Sequence, residues 1–186
     1  MKPTLVLMEE HRLIERVLTA LQTAAQRVSN GEELRPAFFI NAALFIRTFG
    51  DGTHHHKEEG LLFVAMNEAG LPTEGGPIAV MLSEHEQGRA FTREMADAAG
   101  KWGKGDGSAR SAVVQNALGY IALLRQHIHK EDTILFPLAD RLIQPNRQEA
   151  LTRDFENAIR EEQAAGIHEK YPALAEVLEK ESLKPV

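Results

Sequence analysis

Histidine and glutamate recur in this chain in a pattern suited to holding metal ions. The segment His54-His55-His56-Lys57-Glu58-Glu59-Gly60-Leu61-Leu62-Phe63 returns as His127-Ile128-His129-Lys130-Glu131-Asp132-Thr133-Ile134-Leu135-Phe136, with six of the ten positions identical. In each copy a His stands four residues before a Glu, and on a helix residues i and i+4 lie one above the other on one face. Each copy therefore offers a nitrogen and a carboxylate in the same direction. The echo extends upstream, where Glu10-His11 precedes the first copy by 43 residues and Glu84-His85 precedes the second by 42. A single His-x3-Glu is common on exposed helices, and a lone His in an apolar stripe is more often a hydrogen-bonded core residue than a ligand. The repeat changes that balance. Four inward imidazoles and two inward carboxylates are expensive to bury without a counter-charge, and a pair of divalent cations removes that cost.

The ligand count fits two metals, with two His for each ion and two Glu bridging both. Two divalent ions outweigh two carboxylates in charge, so the bound core would attract a bridging oxide or hydroxide. The chain has no Cys, which excludes disulfides, thiolate metal sites and cysteine-ligated iron-sulphur clusters. Imidazole with carboxylate suits iron, manganese or zinc, and helix-bundle sites of this kind most often hold redox pairs. Two non-haem iron ions are the expected cofactor, with manganese or zinc as alternatives.

Helices must present these groups, and the apolar spacing supplies them. Residues 4–29 carry Leu7, His11, Ile14, Leu18, Leu21 and Ala25 at helical intervals and stop at Asn30-Gly31. A second helix is expected to start at Pro36 and run to about Ala69, although Gly50-Asp51-Gly52 should weaken it. A third follows the Gly- and Pro-rich loop 70–77 and ends near Gly100, with His85 on its apolar face. The fourth covers about 108–143, carries Tyr120, His127 and Glu131 along one stripe, and should bend near Pro137. Beyond Asn146 the pattern predicts an outer helix to about Ala165 and a short one after Pro172. The fold class is therefore all-α: an antiparallel up-down-up-down four-helix bundle over residues 1–145, with C-terminal helices of 146–186 packed on the same domain.

At 186 residues the chain suits one domain, and with 43% hydrophobic residues, 26% charged and a net charge of −6 it has no basic field for nucleic acid or anionic membrane. The longest apolar run is too short to span a bilayer, and the amino terminus turns acidic before a signal-peptide apolar region is complete. A cytoplasmic location is expected, without nucleic-acid or membrane partners. Gly100 to Ser108 holds four glycines but lacks the order of a phosphate loop.

These residues resemble the hemerythrin-like, or HHE cation-binding, domains. The resemblance rests on Met8-Glu9-Glu10-His11-Arg12, the His54 block with its Leu-Leu-Phe, Glu84-His85, and the His127 block with its Ile-Leu-Phe-Pro, and it covers about residues 4–143. It implies a four-helix bundle with a non-haem di-iron centre and, carried over residue by residue, the metal ligands His11, His54, Glu58, His85, His127 and Glu131. Oxygen-carrying hemerythrins have a fifth His one turn after the ligand of the third helix, where this chain has Arg89. Simple oxygen transport is thereby put in question. Those carriers also use His-x4-Asp in the last helix, which makes Asp132 the alternative to Glu131. Within the triplet, His54 with Glu58 preserves the repeat, and His55 with Glu59 is the competing register. His56, His129 and the lysines Lys57 and Lys130 are expected to face solvent. Tyr120 either lines the pocket or belongs to the core.

Two classes of function follow from the resemblance and the ligand count. One is a di-iron protein that binds or reduces a small ligand, O2, NO or H2O2, with no commitment to turnover. The other is non-catalytic metal storage, or iron or oxygen sensing. Iron donation in iron-sulphur cluster repair resembles a further branch, whose amino-terminal cysteine segment this chain lacks.

Overall fold

The computed structural model describes residues 1–184, and among them the secondary structure is helical with no strand. Helix α1 is Pro3–Ser29. Helix α2 runs without a break over 36–68, and α3 is Pro77–Gly103. After the short 3-10 turn Gly107–Ala109, helix α4 runs over 110–142. Helices α5, Pro145–Ala164, and α6, Ile167–Leu183, follow. Proline opens α1, α3 and α5, where its missing N–H costs nothing and its fixed φ suits the first turn. Short loops make successive helices antiparallel, and α1, α2, α3 and α4 close the expected bundle, α1 packing on α4 and α3 packing on both α2 and α4.

Two helices differ from the sequence expectation in their winding. Helix α2 does not break at Gly50-Asp51-Gly52. It widens into π geometry over Ile46–His55 and again over Glu58–Leu62 before returning to α form at Phe63–Glu68. Helix α4 does the same over Glu131–Leu135. The i→i+5 bonding of a π turn accommodates one extra residue, and such turns concentrate at functional sites. Pro137, expected to bend the helix, enters immediately after this turn, at the second residue of the α segment Phe136–Leu142. The final helix also differs, because it begins at Ile167 rather than after Pro172 and holds that proline inside it. Gly166, at φ 69°, supplies the left-handed turn that reverses the chain, and burial of Tyr171, Ala175 and Leu178 on the bundle outweighs the hydrogen bond lost at Pro172.

The apolar core is divided. One cluster includes Ile14, Leu18, Phe38, Phe45, Met95, Tyr120 and Leu124, and the other includes Leu7, Leu62, Phe63, Met81, Leu135 and Phe136. Each bundle helix passes from one cluster to the other, and at the crossing it carries a buried His: His11, His54, His85 and His127. The C-terminal pair covers both halves, since Leu151 and Phe155 of α5 join the second cluster while Tyr171, Ala175 and Leu178 of α6 join the first. Polar ties fix the pair at its rim, where Arg16 makes a two-pronged contact with Glu179 at 2.8 Å and Arg27 donates to the carbonyls of Ser182 and Lys184. No described helix is long and apolar enough to cross a membrane. Phe155 is 1% exposed, so Phe155→Ala is expected to cost about 3–5 kcal/mol in urea unfolding; a loss below about 1 kcal/mol would mean that α5 adds little to the bundle.

Candidate metal centre

His11, His54, Glu58, His85, His127 and Glu131 are brought together in the layer between the two apolar clusters, each at most 1% exposed. A seventh residue joins them. His55, reserved by sequence reasoning for a competing register, is buried in the same layer, its ring stacked on that of His85 with centroids 3.8 Å apart. The residues form two groups whose ligand atoms lie within 4.8 Å of one another: His11, His54, Glu58 and Glu131 in one, and His55, Glu58, His85 and His127 in the other. Glu58 belongs to both. Glu131 also reaches across, with one oxygen 3.2 Å from Nε2 of His11 and of His127.

The π turns explain why two consecutive histidines serve one centre. In an α-helix adjacent residues diverge by about 100°, so His54 and His55 should not both point inward. Both lie in the widened turn Ile46–His55, and Thr53, His54 and His55 are all buried. Glu58 and Glu131 each open a further π turn, so the two copies of the repeat change winding at the same residue. The consecutive His pair and the nearby Gly-Asp-Gly are the sequence signals of this geometry, and the glycines read only as a weakening of the helix.

Every imidazole is held from behind. Nδ1 of His11 faces Asp132 at 2.7 Å, His54 faces Glu10 at 3.0 Å, His55 faces Asp51 at 2.8 Å, His85 faces Glu59 at 2.7 Å and His127 faces Glu84 at 2.9 Å. A carboxylate only accepts, so each Nδ1 is assigned the proton and each Nε2 turns its lone pair toward the centre. Carboxylates placed behind metal-bound histidines in this manner fix the tautomer and make the imidazole more basic. These roles account for two alternatives raised by the sequence. Asp132 and Glu59 sit behind His11 and His85, outside both groups.

A further ring of cations steadies the carboxylates. Asp132 pairs with Arg12 and Glu84 with Lys130. Arg89 bonds Glu59 at 2.6 Å and lies 3.6 Å from Asp51, so the residue in place of a fifth third-helix histidine braces both His85 and His55 through their acids. Lys57 overturns the expectation that it faces solvent. It is fully buried, donates to Glu10 at 2.6 Å and also bonds Glu162 of α5. Its length carries the ammonium past the bundle surface to acids that the C-terminal helix then covers. Lys130 is partly exposed, and His56 and His129 face solvent as expected. Tyr120 belongs to the core, packed where a Cβ on Gly88 would lie 3.4 Å from its ring.

The inner atoms call for a cation. Nε2 of His11 and both oxygens of Glu58 and Glu131 are buried without a hydrogen bond, although ion-pair neighbours lie 3.2 Å away. Orphaned buried groups of this kind are costly and point to a bound ion or water. Nε2 of His85 and Nε2 of His127 face each other at 3.1 Å, and with both Nδ1 protons committed to carboxylates the two lone pairs repel unless something electrophilic lies between them. Electrostatics agree. Burial disfavours a charged His54, yet Glu58 and Glu10 outweigh it and lift its pKa to about 10, and Glu131 raises His127 to about 9 in the same way, so the carboxylates call for positive charge at Nε2 of these rings, which a second proton or a metal in its place supplies. Burial would raise Glu58, but the neighbouring imidazoles, His54 foremost, hold it well below the usual carboxylate range. The pocket therefore demands positive charge, and a donor set of imidazole nitrogens and carboxylate oxygens fits divalent transition metals. Removing one brace tests the arrangement: Asp132→Ala is expected to weaken divalent-metal retention about 10–100-fold in chelator competition, while His129→Ala leaves it unchanged.

Comparison with known proteins agrees with this chemistry. The chain is 30% identical over 132 residues to the uncharacterized protein Rv1995 of Mycobacterium tuberculosis and to the uncharacterized protein Mb2018 of Mycobacterium bovis, alignments covering 70% of this chain and 51% of each relative. The chain thus matches about half the length of these curated relatives. No solved structure matches it. The hemerythrin HHE cation-binding domain matches residues 3–139, from the first turn of α1 to beyond Phe136 and so across every buried His and Glu of the centre, and the chain belongs to that family.

Proposed function

We propose that the chain is a non-haem di-iron protein that binds or reduces a small ligand such as O2, NO or H2O2. The observation that carries the reading is the pair of buried donor groups sharing Glu58, with every imidazole oriented from behind. His11, His54, Glu58 and Glu131 would hold one ion, and His55, His85 and His127 with Glu58 the other. When bound, an iron pair supplies two electrons and a Lewis-acidic position for a small ligand. The chain's own residues do the rest. The five Nδ1 contacts hold the rings in place, so ligand binding need not reorganise them. Leu62, Phe63, Leu135 and Phe136 close one side of the layer and Leu124 and Ile128 the other, which excludes bulk water and strengthens the electrostatics inside.

A second reading, metal-dependent sensing, is favoured by one contact. Lys57 connects Glu10, the acid behind His54, to Glu162 of α5, so a change at His54 has a polar route to the C-terminal helices. Storage and iron donation have no comparable support.

Anaerobic reconstitution with Fe(II) is expected to load two iron ions per chain, and exposure to air to produce near-ultraviolet and visible charge-transfer bands of a coupled ferric pair. One ion per chain, or none, would overturn the dinuclear reading. His55→Ala is expected to lower the stoichiometry or shift the bands, whereas His56→Ala leaves both unchanged; equal behaviour of the two variants would remove His55 from the centre. Rapid consumption of NO or H2O2 by the loaded protein would favour turnover. Marked metal-dependent stabilisation with negligible consumption would favour sensing.

A further inference from the structure

Apolar side chains anchor the C-terminal pair at its two ends, Leu151 and Phe155 on one cluster and Tyr171, Ala175 and Leu178 on the other. Between those anchors it is held differently. Of residues 156–170 Glu162 alone is buried, an acid where a helix packed on a bundle ordinarily turns an apolar side chain inward. Apolar packing is also incomplete there. Leu13 of α1, Phe49 of α2, Ile159 of α5 and Pro172 of α6 border a pocket of about 330 Å³ that Glu10 and His168 also line. Polar contacts close the junction instead. Nδ1 of His54 donates to Glu10 at 3.0 Å, Lys57 donates to the other oxygen of Glu10 at 2.6 Å and also to Glu162, and Nε2 of His168 meets the second oxygen of Glu162 at 3.2 Å. This run joins α1, α2, α5 and α6, from a histidine of the centre to the exposed His168.

We propose that Glu162 is a positioning residue for the His54 side of the centre, and that metal binding is thereby coupled to docking of the C-terminal pair. The inference rests on the metal-dependent reading of the buried layer and holds for whichever metal fills it. Lys57 is the link. Its ammonium is fully buried between two acids, and a buried charge keeps its place only while its partners remain. When α5 lifts, Glu162 leaves, Lys57 is drawn toward water and its hold on Glu10 weakens. The ring of His54 then loses the brace that directs its Nε2 inward. Docking and metal binding thus favour the same placement of Glu10, and by linkage each strengthens the other by the same factor. Glu162 lies beyond residues 3–139, the span of the hemerythrin domain, so this control comes from an element outside it.

Chelator competition for Fe(II), carried out anaerobically on the full chain, tests the coupling in one direction. Glu162→Ala is expected to weaken metal retention at least about fivefold, while substitution of its exposed neighbour, Glu161→Ala, leaves retention unchanged. Lys57→Met is expected to weaken retention as well, and Glu162→Ala added to it to have no further effect. Glu162→Gln preserves shape and is expected to act in the same direction, which keeps the comparison open where the alanine variant is unstable. Hydrogen exchange reads the reverse direction. Fe(II) is expected to slow exchange over 159–170 by the same factor, and in Lys57→Met that slowing disappears while slowing within α1 to α4 persists. Unchanged retention in both Glu162 variants, effects of Glu162→Ala and Lys57→Met that simply multiply, or equal exchange over 159–170 with and without metal would each overturn the coupling. A chain that held no metal in any variant would overturn the metal reading itself, and the coupling with it.

Discussion

The hydrogen bond between an imidazole Nδ1 and a carboxylate, made five times, is the interaction on which the rest of this structure depends. Each such bond decides which nitrogen carries the proton and in which direction the other points. Without it a buried histidine could rotate or change tautomer, and the inner donors would not converge. The five acids come from all four bundle helices: Glu10 from α1, Asp51 and Glu59 from α2, Glu84 from α3 and Asp132 from α4. Only His55 is braced within its own helical turn, by Asp51 four residues earlier. The other four braces cross between helices, so orienting the rings and aligning the helices are accomplished by the same contacts.

Charge is arranged in shells around this layer. At the centre two carboxylates meet five imidazoles, behind the imidazoles stand five acids, and behind the acids stand Arg12, Lys57, Arg89 and Lys130. Opposite charge in each successive shell keeps every buried ion compensated, a requirement for burying so many polar groups in one small domain. The shells are not equally solvated. Arg12 is half exposed and Lys57 is sealed under α5, so the cation backing the acid of His54 is better insulated than the one backing the acid of His11.

Much of this was legible in the sequence, and the misread side-chain directions have a common cause. Repeated His-x3-Glu and the apolar stripes of four long segments gave the helices, their antiparallel order and six of the seven inward groups, because those features obey the regular 3.6-residue period. His55 and Lys57 were misread for the same reason. Both lie in or beside the π turns of α2, where the period changes and directions counted at 100° per residue no longer hold. Glycines 50 and 52 were expected to weaken the second helix without ending it, and in the fold they accompany its widened winding. The acids behind the histidines were visible as Glu10 and Glu84 immediately before His11 and His85, but their targets could not be read, since Glu10 serves His54 and Glu84 serves His127, each on another helix. Tertiary placement, not local sequence, determines such pairs.

The divided core has a consequence for how the molecule holds together as one unit. Apolar contact ordinarily runs unbroken through a small bundle and makes it melt in a single all-or-none step. Here that contact is interrupted by a polar storey, so the upper and lower halves communicate through the continuous helices, the C-terminal pair that straddles both, and whatever neutralises the storey between them. Cooperativity of folding thus becomes a property that the centre can grant or withhold. An occupied layer would rivet the halves into one structure, and an empty one would leave a seam across its middle.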